Sequence, residues 1–234
     1  MQQMSGYIIL MVCIEEVQKL KFSMDSPVFN IADQITDLLV AGFLWLVFSA
    51  PVITIGPASA ALYYTVVKVV RRKRETVTKS FLYAFRLNLW QGIGLTILYL
   101  AYGIVLVLFM NFVRFGESGL NPYIVVLAGI MIVAPFLFTL PYIFPVLSRF
   151  QFKISGLLQY ALHMSIRHFI TTGVLLVMLL GVCFLIYLFP FFLGILPGIY
   201  AYGTSFLIER VLKGYLSAER EKYGDENGLP WYLE

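Results

Sequence analysis

The sequence predicts an all-α fold, a polytopic transmembrane helical bundle of about six spans with two amphipathic helices on its inner surface. Three observations predict it. Of the 234 residues, 60% are hydrophobic and only 13% charged, where soluble domains carry roughly 25% charge, and the mean hydropathy is +0.84. Charge-free apolar stretches recur at lengths that suit a bilayer. The net charge of +4 comes from short basic segments between those stretches, which is a pattern of membrane topology rather than a nucleic-acid footprint. The expected partner is therefore the lipid bilayer, and no nucleic acid.

Residues 1–23 read as an N-terminal extension, 24–212 as the transmembrane helical domain and 213–234 as a charged cytoplasmic tail. Tyr7 to Cys13 is apolar but too short to cross a bilayer. It follows no basic residue and lacks a small-residue cleavage site, so a secretory signal is poorly matched and Met24 is an alternative start. Cys13 and Cys183 are far apart in the chain, which supports neither a disulfide framework nor a structural zinc site.

The first span is expected over 33–50, with Asp33 and Asp37 one turn apart at its start. Pro51 and the Gly56-Pro57 pair bracket a breaker-rich stretch that reverses the chain. Gly56, preceding a proline, is steered toward an extended or positive-φ turn, whereas Gly42 lies on an ordinary helical stretch. The second span, 57–70, ends at Arg71-Arg72-Lys73-Arg74, an inside marker that places the N-terminus inside as well. Over 76–91, Phe81, Leu82, Phe85 and Leu89 lie on one side and Lys79, Tyr83 and Arg86 on another, as in a helix lying along the inner surface.

The third span is 89–113, followed by an outer loop to residue 121. The fourth, 122–147, carries Pro135, Pro141 and Pro145 and is expected to bend or break. Ser155, Gln159, His163 and Arg167 then recur every fourth residue against Ile154, Leu157, Leu158 and Ala161, a second surface helix. The last spans are 170–189 and 193–212, separated by Pro190, and the C-terminus returns inside. A shift of 77 residues lays Tyr83-Ala-Phe-Arg-Leu-Asn-Leu over Tyr160-Ala-Leu-His-Met-Ser-Ile, and Pro57 aligns similarly with Pro135. This is a candidate internal parallel repeat of an inward span, a surface helix and an outward span.

The segment from Asp37 to Tyr64 contains Trp45, Pro51, Thr54, Gly56, Pro57, Tyr63 and Tyr64 within Leu-Trp-Leu-Val-Phe-Ser-Ala-Pro-Val-Ile-Thr-Ile-Gly-Pro-Ala-Ser-Ala-Ala-Leu-Tyr-Tyr. It closely resembles the YesL family of bacterial integral membrane proteins, as does the Phe-x-x-x-Phe-Arg-x-Asn-x-x-Gln stretch ending at Gln91. Members usually begin near the equivalent of Met24. The family has no established biochemical activity, but its members are typically encoded beside carbohydrate ABC importers of Gram-positive bacteria. The resemblance implies an accessory role in oligosaccharide uptake at the cytoplasmic membrane, with the importer's permease subunits as partners.

The residues themselves offer little catalytic chemistry. No Gly-x-x-x-x-Gly-Lys, His-Glu-x-x-His or Gly-x-Ser-x-Gly occurs, and His163 and His168 point apart on a helix with Arg167 between them. No catalytic residue, metal or cofactor is expected. Candidate binding residues are Pro51, Thr54, Gly56 and Pro57 of the hairpin, because irregular backbone at membrane depth must be buried in protein or face a wet cavity. Tyr63 and Tyr64 join them as candidates for a sugar path with tyrosines 99, 102, 187, 200 and 202. Ala58, Ala61 and Thr65 form a stripe that admits another helix, from the same bundle or a partner. Asp37, Arg86, Glu209 and Arg210 are candidates for ion pairing across the bundle. The leading expectation is a non-enzymatic accessory protein of a carbohydrate ABC transporter. It lacks the Glu-Ala-Ala-type loop of a permease. An independent sugar carrier using the proline-rich fourth span, or a membrane sensor or scaffold, are the alternatives.

Overall fold

A computed structural model describes residues 27–73, 75–115, 122–150 and 152–223. The expected N-terminal extension, residues 116–121 of the expected outer loop and the end of the tail lie outside these residues. Helix α1 (Pro27–Phe48) leads through a 3-10 turn, Val52–Thr54, into α2 (Ile55–Thr65), which runs on as a π-helical stretch, Val66–Arg71. Then come α3 (Val77–Leu87), α4 (Leu89–Phe115), α5 (Pro122–Arg149), α6 (Ile154–Arg167) and α7 (Phe169–Leu188). A 3-10 turn, Pro190–Gly194, precedes α8 (Leu196–Tyr223).

Among the described residues, five segments are long and apolar enough to cross a bilayer: Ile31–Phe48, Val52–Arg71, Leu89–Val113, Tyr123–Arg149 and Phe169–Leu188. Most of the sixth expected span lies in α8, which falls short of that mark. Tyr, Thr and Ser dilute its apolar side chains, and Glu209, Arg210 and Lys213 interrupt them. Helix α8 also continues past Lys213, where the charged tail was expected to begin.

Helix α2 is the hub, touching α1, α3, α4, α5 and α8. Ala60, Tyr63 and Val67 enter one core cluster with Leu95, Tyr142, Leu157 and Ile208, while Ala58, Ala61 and Val66 enter another with Ala41, Phe81 and Ala84. Small side chains let the neighbouring backbones approach, which is the main source of packing energy between helices in lipid. Ala58, Ala61 and Thr65, the expected stripe, are all fully buried within the bundle. By contrast Val107 and Leu108 on α4, Ile130 and Met131 on α5, and Val177 and Leu180 on α7 stand exposed.

Helix α3 turns Phe81 and Ala84 inward and leaves Lys79, Tyr83 and Arg86 exposed; α6 buries Leu157 and Ala161 and exposes Ser155, Gln159, His163 and Arg167. Both amphipathic faces are as the sequence periodicity places them. Helix α5 is continuous through Pro135, Pro141 and Pro145, where a break was among the expected outcomes. Side chains support the carbonyls around the prolines: Tyr102 donates to Ile132 O at 2.6 Å and Thr139 to Pro135 O at 2.8 Å. Such local acceptor satisfaction is what allows proline inside a membrane helix.

Candidate functional site

The polar chemistry of the bundle converges where α2, α5 and α8 meet. The π-helical stretch at the end of α2 carries Lys68 and Arg71 and is capped by Arg72, and π-bulges of this kind frequently mark functional sites. Ser205 and Glu209 lie one turn apart on α8, so they share a face. Arg71 donates to the Ser205 carbonyl at 3.0 Å and stacks over the Phe206 ring at 4.3 Å. Arg149, at the last turn of α5, donates through Nη2 to Glu209 Oε1 at 2.6 Å, while Arg72 Nη2 stands 4.0 Å from Oε2. The Tyr63 hydroxyl donates to Oε1 at 3.3 Å. Glu209 and Arg149 are 7% and 3% exposed, so neither charge could remain without the other at ordinary cost.

The two arginines occupy matching places in the chain pattern. Arg72 and Arg149 are 77 residues apart, the separation that superposes Tyr83 on Tyr160. Each stands at the end of the first long helix of its unit, and each is followed by a short amphipathic helix and a second long one. One carboxylate on α8 thus receives an arginine from each unit.

Lys68 turns away from this cluster and pairs with Glu75 at 2.8 Å, and Ser80 donates to the same Glu75 oxygen at 3.1 Å. The Lys68 hydrogen bond outweighs the opposing effect of burial and holds the Glu75 carboxyl below its ordinary range. Lys73 and Glu75 both take left-handed backbone, with φ of 51° and 63°, a conformation uncommon without glycine.

At the opposite end, the hairpin differs from expectation. The chain reverses through Ser49 to Thr54, with Thr54 Oγ1 donating to the Phe48 and Pro51 carbonyls at 2.6 Å each. Helix α2 already begins at Ile55, so Gly56 and Pro57 occupy its first turn, where proline's missing N–H costs nothing. Gly56 has no positive φ. Its need for glycine is steric: a Cβ would collide with Gly92 O and Thr96 Oγ1 on α4, and a Cβ on Gly92 would collide with Pro57. The Gly56 N–H donates to Thr96 Oγ1 at 3.0 Å. Gly42, expected to tolerate alanine, is equally constrained, because its Cβ would run into the Gly194 carbonyl.

The proposed pairing of Asp37, Arg86, Glu209 and Arg210 is not what the structure brings together. Gly42 faces Gly194 and Gly198 faces Leu38, so α1 and α8 run antiparallel. At 1.5 Å per residue, Glu209 stands about 15 Å along the axis from Asp37. Arg86 and Arg210 are exposed on other faces. Glu209 alone of the four joins an ion pair among the described residues, and its partners are Arg149 and Arg72. Pro51 is exposed, whereas Tyr63 and Tyr64 are buried. The Tyr64 ring lies 5.4 Å from Lys68 Nζ. Arg149 went unrecognised as a site residue because sequence marks it only as an inner-side charge.

Between the two ends, α1, α2, α5, α7 and α8 touch in a closed ring around a cavity of about 270 Å³. Leu62, Phe144, Val182 and Ile208 are among its walls. The indole of Trp45 at its edge donates to Ser59 Oγ at 3.1 Å, and Thr204 donates to the Tyr200 carbonyl at 2.7 Å. Among the described residues no three His, Cys, Asp or Glu side chains come together as a metal site.

A family model described as a protein of unknown function, DUF624, matches residues 38–112, which takes in the second half of α1, all of α2 and α3 and most of α4. The match contains the Gly56–Gly92 contact but neither Arg149 nor Glu209. No curated protein matches the chain, and no solved structure does.

Proposed function

We propose that this chain is a YesL-like, non-enzymatic accessory protein of a bacterial cytoplasmic membrane that associates with the permease subunits of a carbohydrate ABC importer. The resemblance of the 37–64 segment supplies the importer context. The observation that favours an accessory role over a sugar carrier is the hydrocarbon lining of the central cavity. A sugar there would give up its hydration for walls of leucine, valine, isoleucine and phenylalanine, and each unmatched hydroxyl would cost about 1–3 kcal/mol. The tyrosines suggested for a sugar path are in part engaged already, Tyr63 with Glu209, Tyr99 with Thr139 and Tyr102 with the Ile132 carbonyl.

The basic end of the bundle, with Arg71, Arg72, Lys153 and Arg167, faces the cytoplasm in this reading, which puts both termini inside. Impermeant thiol labelling of intact cells tests the orientation with cysteines at Lys73 and Lys153, both exposed and both expected to stay unlabelled. Position 149 is unsuitable, since burial alone would protect it. The function is tested by detergent purification of the tagged chain from its own host. Permease subunits of a carbohydrate importer should co-purify. Recovery of none, with the importer itself intact in the same extract, would contradict the proposal, as would sugar uptake by the chain alone in vesicles.

A further inference from the structure

The central cavity is sealed at one end and open at one side. Tyr63, Thr204 and Ile208 close it toward the basic end, each no more than 3% exposed, and Tyr63 is tied down by its bond to Glu209. On α7, however, the lining residue Cys183 is exposed. It shares that helix with Val177, Leu180 and Phe184, whose apolar side chains also point outward. In a chain that crosses a bilayer, this opening meets lipid rather than water.

An apolar cavity stays dry, and an unfilled wall forfeits its dispersion contacts. A group that fills this space is therefore hydrocarbon. We propose that the cavity binds one acyl chain of a bilayer phospholipid, admitted sideways past Cys183 with its end near Ile208 and its headgroup outside the ring. The Trp45 and Tyr200 rings line the path, presenting broad apolar faces while their polar atoms remain at the edge. This inference is independent of any importer partner.

Trp45 makes the site readable. With Trp90 and Trp231 replaced by Phe, fluorescence of the remaining Trp45 in detergent micelles should be quenched saturably by phosphatidylcholine brominated along one chain. The double variant Leu179→Phe/Val182→Phe fills the cavity and should lose the saturable component while retaining the parent's melting temperature. If that variant does not fold, alkylation of Cys183 by N-ethylmaleimide in a Cys13→Ser background gives a second reading. Added phosphatidylcholine should slow it severalfold at constant detergent. A linear, unsaturable quench identical in parent and folded double variant, or an alkylation rate indifferent to phospholipid, would overturn the proposal. Saturable quenching by a small bromoalkane but not by brominated phospholipid would overturn it too, since the occupant would be a free apolar solute.

Discussion

The stretches 52–115 and 122–188 use the same order of helices, yet the most apolar parts of their leading helices are buried very differently. In the most apolar 18-residue part of Val52–Arg71, 72% of residues are buried; in that of Tyr123–Arg149 the share is 6%. Hydrophobicity does not explain this, because lipid accepts leucine as readily as protein does. Side-chain size does. Gly56, Ala58, Ala60 and Ala61 make α2 thin enough for five neighbours to reach it, whereas Val126, Leu127, Ile130 and Met131 hold the first half of α5 against lipid. The basic ends carry the same contrast. Arg149 is enclosed by the bundle, but the Arg72 side chain is 30% exposed.

The largest effect should come from breaking the enclosed pair. Arg149→Met leaves Glu209 buried with the Tyr63 hydroxyl but only a distant, part-exposed arginine to balance its charge, and unfolding in mixed micelles should show a loss of about 3–5 kcal/mol. Arg72→Met should lose less than about 1 kcal/mol, as for a screened surface pair. Equal losses would mean that both arginines share the carboxylate alike.

Glycine substitutions sharpen the comparison between hub and periphery. Gly56→Ala forces α2 and α4 apart and should cost about 1–3 kcal/mol or more, and Gly42→Ala should cost a similar amount through Gly194. Gly173→Ala and Gly181→Ala on α7 meet nothing within 4 Å and should be neutral or stabilising by up to about 1 kcal/mol. Melting temperatures of the four variants in one detergent check this ordering.

What the sequence revealed follows the same division. The apolar spans and the two amphipathic helices were legible because each is a local pattern, set by composition and a period of 3.6 residues. The small-residue face of α2 was legible as a close-packing surface, though not the choice between this bundle and a partner. Gly56 is legible as a special position, but for a local reason that does not hold in the fold. Gly-Pro reads locally as a turn, while its actual constraint comes from Gly92, on a helix whose approach no local pattern announces. Glu209 was likewise recognised as a candidate for pairing, but its partner depended on helix direction and depth, which place Asp37 about 15 Å away. The cavity is a property of five helices together and had no signature in any one of them.

The smallest effect should be the pH dependence of the loop after α2. The Glu75 carboxyl, lowered chiefly by its bond from Lys68, contributes stability that is present above the ordinary glutamate range near 4.5 and is lost as pH falls through its lowered folded value. Glu75 is half exposed, so the contribution should stay below about 1 kcal/mol. Thermal unfolding between pH 7 and pH 3 should show it, and Glu75→Gln should remove that component only.

The central claim is that one carboxylate on α8 ties together the ends of two similar units, and that the enclosed arginine carries the tie. A pair of double-mutant cycles on reversible unfolding in mixed micelles tests it most directly, combining Glu209→Leu with Arg149→Met in one and with Arg72→Met in the other. The account predicts a coupling of about 2–3 kcal/mol between Glu209 and Arg149 and less than about 1 kcal/mol between Glu209 and Arg72. A coupling to Arg149 no larger than that to Arg72 would contradict it.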